Sequence, residues 1–278
     1  MLKKILLAAL LALAPQLVAA ATLISTASGN IGTAATWSVV DTSGTNSYLN
    51  SETANTALTT TPVASSTFTP SASTLTAIGV RLASVSASPT GTITVLLANA
   101  TSPGTRECSQ TVNVADLVTT VSSTTLEGGW LILTCAVSPN GTDTYTITAS
   151  TSSSSQVNLF SSATTNWSRL LVTNAAPGGA PAAGDKLLIA GNRTGAGTGN
   201  SYTVTIDTTS AVNYGNVANT LVDPSISISQ GGTLAFATSA STAYLAQVAG
   251  PMVIYNGGTF TIGTAGSPIP STSSAVFT

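Results

Sequence analysis

The chain contains no histidine and very little charge: 6% of its 278 residues are Asp, Glu, Lys or Arg. Without an imidazole there is no Ser-His-Asp triad, no histidine general base and no histidine ligand for zinc. Seven basic residues against nine acidic ones provide no stripe able to neutralise phosphates, which argues against DNA or RNA as a partner. Polybasic attachment to anionic lipid is equally unsupported. Aromatic residues are scarce, at 5%, and no window carries the period of a long amphipathic helix. Ser and Thr are abundant instead. Their hydroxyls must supply solubility, and β-branched Thr favours the pleated surface of a sheet.

Residues 1–21 read as a secretory leader. Met1, Leu2, Lys3 and Lys4 form a short cationic start, and residues 5–18 are apolar except for Pro15 and Gln16. Val18-Ala19-Ala20 and Ala19-Ala20-Ala21 each offer the small-x-small pattern of a cleavage site. The apolar stretch is shorter than the ~20 residues of a spanning helix, and nothing later reads as a membrane span. The expected location is therefore secreted or cell-surface. Loss of Lys3 and Lys4 leaves Arg81, Arg106, Arg169, Lys186 and Arg193 against nine acids, a net charge of −4.

Two cysteines in an exported chain point to a disulfide, Cys108 to Cys135, stabilising by roughly 3 kcal/mol through loop closure. A metal or redox pair would want a C-x-x-C spacing or histidine, and neither is present.

Residues 22–173 show alternation at period two. Ile78, Val80 and Leu82 share one face of a strand, as do Ile93, Val95 and Leu97, and Tyr145, Ile147 and Ala149. Turn signals such as Ser88-Pro89-Thr90-Gly91 separate the runs. Several short antiparallel strands in this length fit a β-sandwich of jelly-roll type. Residues 174–184, uncharged and rich in proline and glycine, read as a linker.

The chain from 185 to 278 carries an internal repeat. Residues 225–238 (SISISQGGTLAFAT) and 251–264 (PMVIYNGGTFTIGT) align with both Gly-Gly-Thr corners in phase, 26 residues apart. Strand, glycine corner and strand at fixed spacing spell a coiled solenoid. Leu187/Ile189, Val204/Ile206, Ile226/Ile228 and Met252/Ile254 are expected to stack inward. The overall expectation is an all-β chain: a β-sandwich followed by the first coils of a right-handed parallel β-helix. No polar cap follows Phe277 and Thr278, so further coils are expected downstream.

Gly184-Asp185, Val204-Thr-Ile206-Asp207, the two Gly-Gly-Thr corners and Gly263-Thr-Ala-Gly266-Ser-Pro268 resemble the secreted domain named for its eight glycines, and the opening coils of pectate-lyase-like β-helix proteins. The resemblance covers about a third of the chain. It implies a large extracellular protein with a carbohydrate-binding role.

No catalytic constellation and no cofactor motif is present. Asp185, Asp207 and Asp223 sit at strand ends, where Asp ordinarily holds a turn. Trp37 and Trp167 are the candidate sugar-stacking residues, Trp167 because it lies among polar neighbours, while Trp130 heads an apolar run and reads as core. The Asn-x-Ser/Thr matches at Asn99, Asn140, Asn166 and Asn192 are expected by chance in so Ser/Thr-rich a chain. The functional expectation is an exported structural or adhesive protein whose partner is a polysaccharide or cell-surface glycan. One alternative is the accessory part of a polysaccharide lyase or hydrolase whose catalytic coils lie further on. Another is a viral or phage fibre component, against which the leader argues.

Overall fold

A computed structural model describes residues 20–41, 54–86, 88–117, 129–163, 166–177, 179–195, 199–208, 212–219, 221, 223–237, 245–255, 257–261 and 274–277. The chain is nearly all β, about 50% strand and 3% helical, in several sheets. Three short strands come first: β1 (Thr22–Ser25), β2 (Gly29–Asn30) and β3 (Trp37–Val39).

Ten strands follow in the middle of the chain. They are β4 (Ala54–Ala57), β5 (Val63–Ala64), β6 (Leu75–Val85), β7 (Thr92–Asn99), β8 (Cys108–Asn113), β9 (Trp130–Val137), β10 (Tyr145–Thr151), β11 (Val157–Ala163), β12 (Asn166–Trp167) and β13 (Arg169–Thr173). All their strand-to-strand pairings are antiparallel, in one sheet ordered β5-β10-β7-β8 and another built on β6, β9, β11 and β13. The alternation read from sequence places Ile78, Val80, Ile93, Val95, Leu97, Tyr145 and Ile147 in one core shared by both sheets, each fully buried. The expected disulfide joins β8 to β9, Cys108 to Cys135, with Cα atoms 5.6 Å apart.

After residue 185 the pairing changes character. The strands are β14 (Lys186–Ile189), β15 (Tyr202–Ile206), β16 (Asn213–Tyr214), β17 (Ile226–Ile228), β18 (Gly232–Phe236), β19 (Leu245–Val248), β20 (Met252–Ile254), β21 (Thr259–Thr261) and β22 (Ser274–Phe277). Every third strand pairs in parallel: β14-β17-β20, β15-β18-β21 and β16-β19-β22. The 26-residue repeat is realised as direct neighbours, Ile226 beside Met252 and Thr233 beside Thr259. Leu187, Ile189, Val204, Ile206, Ile226 and Ile228 line a second core, and Met252 packs against it. Ile254, on the outermost described rung of its ladder, is 47% exposed.

The doubled glycines explain the corners. Gly231 and Gly257 hold φ of +76° and +79°, a left-handed conformation that penalises any Cβ. A Cβ on Gly232 would overlap the Ile189 carbonyl, and one on Gly258 the Ile228 carbonyl, each on the neighbouring rung. The corners are also tied together, because Gly231 N donates to Gly257 O at 3.1 Å.

The first strands depart from the expected 22–173 unit. β1 pairs in parallel with β14, Leu23 beside Leu187, and β2 pairs in parallel with β15. Leu23, Ile31 and Trp37 sit in the second core. The opening of the chain thus adds a rung to sheets completed by residues beyond 185. On the other face of β1 and β14, Ile24, Leu188 and Ala190 meet Ala77, Trp130, Ile132, Leu170 and Val172 in a third cluster. Alternation along each strand sends successive side chains to opposite cores and so joins the two parts. The 174–184 segment is anchored as well, with Val39 N donating to Ala175 O and Asn174 N to Thr74 O.

Candidate functional site

A cleft of about 290 Å³ opens where this third cluster reaches the surface. Its apolar floor is Ile24, Ala77, Ile132 and Val172, contributed by β1, β6, β9 and β13. Its polar walls comprise Ser25, Thr26, Ser38 and Thr76 on one part, and Thr134, Asn174, Asn192 and Tyr202 on another. Among the described residues no charged one lines it. A register shift in β6 falls between Leu75 and Ala77, which brackets Thr76, and β13 shifts opposite it. Such bulges re-aim side chains at the rims of sites.

Most of these polar groups are already engaged. Ser25 Oγ donates to Ala190 O at 3.2 Å and accepts from Ala190 N at 3.0 Å. The Thr26 and Ser38 hydroxyls lie 3.2 Å apart, and Thr134 accepts from Thr194 at 2.8 Å. Asn192 Oδ1 accepts from Asn200 Nδ2 at 2.9 Å. The Asn174 carboxamide, Asn192 Nδ2 and the Tyr202 hydroxyl have no hydrogen-bond partner among the described residues. Three wall residues therefore bring uncommitted donors and acceptors over an apolar floor. With amides, hydroxyls and one phenol, but no carboxylate or cation, the cleft suits an uncharged hydroxyl-bearing ligand.

The residues singled out from sequence fall elsewhere. Trp37 is 1% exposed, and its indole N–H donates to Ile31 O at 3.0 Å, so it is core and has no face to offer a sugar. Trp167 lies in β12 beside Ser161, and its side chain is outside the described residues. Trp130 is core, as its apolar run indicates. Asp185 does hold a turn, accepting from Ala182 N at 2.8 Å, whereas Asp223 is paired with Lys186 at 2.6 Å. Asn99, one of the Asn-x-Thr matches, is 1% exposed and bonded to Asp143 at 2.9 Å. Asn174 and Tyr202 were not singled out, because as a linker residue and a strand residue each is ordinary by itself, and Asn192 stood out only as one of the Asn-x-Thr matches.

Arg169 and Arg193 are not among the residues lining the cleft, although the Arg193 backbone bonds to Ile132 and Thr134 of that lining. Burial pulls the Arg169 guanidinium down to about 10. Arg193, lowered by burial against the opposing charge of Asp116, donates to the Asp116 carbonyl at 2.6 Å. Among the described residues no group of three or more His, Cys, Asp or Glu side chains converges as a metal would require, and no helix is long and apolar enough to cross a membrane. Comparison with protein-family models, curated proteins and solved structures finds no match to this chain.

Proposed function

We propose that this is an exported structural or adhesive protein of the cell surface or extracellular space, with a glycan-contacting cleft at the junction of two architectures. The middle strands read best as a β-sandwich of jelly-roll type. The later strands read best as coils of a right-handed parallel β-helix, in keeping with the resemblance to eight-glycine and pectate-lyase-like domains. The observation that carries the reading is the triple recurrence of parallel pairing, β14-β17-β20, β15-β18-β21 and β16-β19-β22, which is how a solenoid stalk is built.

The ligand class follows from the cleft. Its volume, about 290 Å³, sits at the lower end of small-ligand sites, roughly 300–1,000 Å³. Pyranose rings present apolar C–H faces and hydroxyl edges, which match an aliphatic floor, a tyrosine ring and free amides. The uncharged lining favours a neutral polysaccharide over an acidic one. The absence of carboxylates from the lining favours holding over cleavage, because glycoside hydrolysis uses a facing pair.

A glycan array probed with the mature chain is the test. Binding to neutral glycans should fall at least tenfold in Tyr202→Ala and in Asn174→Ala, a loss of about 1.4 kcal/mol or more. A silent array would remove the binding role and leave a scaffold. Binding that persists in both variants but disappears in Trp167→Ala would move the site to β12.

A further inference from the structure

The first rung is anchored one residue before β1 begins. Ala21 O accepts from Lys186 N at 2.9 Å, continuing the ladder with β14. Ala21 N donates to Asp185 Oδ1 at 2.8 Å, across 164 residues of sequence. The other oxygen of that carboxylate accepts from Ala182 N at 2.8 Å. Ala21 also packs against the second core, whereas Ala20 is exposed.

The leader offers two cuts, after Ala20 or after Ala21. A cut after Ala21 would discard two backbone hydrogen bonds and an apolar contact. A cut after Ala20 keeps them all and changes one atom. Water adds across the Ala20–Ala21 peptide bond, leaving a carboxylate on Ala20 and an α-amine on Ala21. That amine, with an ordinary pKa near 7.7–8.0, is mostly protonated at neutral pH. Its nitrogen is the atom already facing Asp185 Oδ1, so an amide–carboxylate bond becomes an ammonium–carboxylate ion pair, a stronger charge-assisted contact.

We infer that a leader peptidase selecting small residues cuts between Ala20 and Ala21, and that Asp185 is the receptor for the new N-terminus. This inference rests on the export reading. Asp185 then has a double duty: it closes the 182–185 turn with one oxygen and locks the processed end of the chain with the other.

Two measurements test it. The full chain expressed in a secreting host should yield protein whose first residue, by intact mass and N-terminal sequencing, is Ala21. A product starting at Thr22 or elsewhere overturns the inference while leaving export standing. A chain that keeps its leader overturns both. Separately, mature protein with a free Ala21 amine should unfold at higher urea than the same protein acetylated at Ala21, by roughly twofold to fivefold in the folding equilibrium. The gap should vanish in Asp185→Asn. Equal midpoints for the free and acetylated forms of the Asp185 protein would overturn the ion pair even if the cut is as inferred.

Discussion

The guanidinium of Arg81, on β6, donates to the phenol oxygen of Tyr255, just past β20, at 2.5 Å and across 174 residues. It lies between two rings, 4.3 Å from the centroid of Phe160 and 5.1 Å from that of Tyr255. Arg81 is 2% exposed, so this contact ties the antiparallel part to the later rungs through a buried cation. Tyr255→Phe keeps the ring and removes the acceptor. Hydrogen bonds to charged groups contribute about 1.5–3 kcal/mol, so a loss of that order is expected in the urea midpoint at unchanged slope. An unaltered midpoint would show that Arg81 does not depend on the phenol.

The glycine corners predict a paired phenotype. Gly232→Ala and Gly258→Ala each drive a Cβ into a backbone carbonyl of the neighbouring rung, Ile189 and Ile228 respectively. Backbone gives way less readily than a side chain, so a loss of about 2–4 kcal/mol is expected for each. Gly32→Ala is the control, since nothing lies within 4 Å of a Cβ placed there. Equal stability of all three variants in chemical denaturation would remove the close-approach account.

Arg169 should stabilise the protein when removed. It is 5% exposed; Nη2 donates to Ser66 Oγ at 3.2 Å, but Nε and Nη1 have no hydrogen-bond partner among the described residues. The Phe68 ring, 5.1 Å from the guanidinium carbon, offsets only part of the desolvation. Because the folded value is lowered to about 10, the penalty is present in full below that pH and is relieved as pH rises above it towards the higher, ordinary arginine value of the unfolded chain. Arg169→Met is expected to be neutral to about 2 kcal/mol more stable at pH 7. A clear destabilisation in thermal or urea unfolding would mean that the charge is compensated.

Tyr214 acts in the opposite sense. Burial, with the charges of Asp207 and Asp185 adding to it, pushes its phenol up to about 12. A raised value means that stability from the neutral phenol is present below pH 10 and is lost as pH rises through about 12. Tyr214→Phe lacks this term. Over pH 9 to 12 its urea midpoint should therefore gain on the wild type by roughly 2–3 kcal/mol. Parallel curves for the two proteins would show that Tyr214 titrates normally, and its phenolate absorbance would appear early.

What was legible in the sequence was local. Ile78, Val80 and Leu82 alternate within a few residues, and Gly231-Gly232-Thr233 recurs at Gly257-Gly258-Thr259, so period and repeat can be read without knowing a partner. The Cys108–Cys135 bridge followed from there being two cysteines. What escaped was non-local. Thr22–Ser25 follows the leader directly and reads as the opening of the 22–173 unit, and nothing in four residues announces a partner at Lys186–Ile189. Trp37 stands among polar and small residues, yet it is core because the bend before β3 brings its N–H to Ile31 O. The cleft is assembled from separate strands and loops, none of which carries a motif of its own.

The pairing of Thr22–Ser25 with Lys186–Ile189 sets an order for folding. On a ribosome the opening strand emerges long before its parallel neighbour exists, so it must wait with its edge unsatisfied while the intervening hairpins close. Contacts of such high sequence separation slow the search for the native state. The opening strand is thus among the last to be fully seated, and truncation anywhere before residue 186 should leave it paired with β3 but with its other edge open.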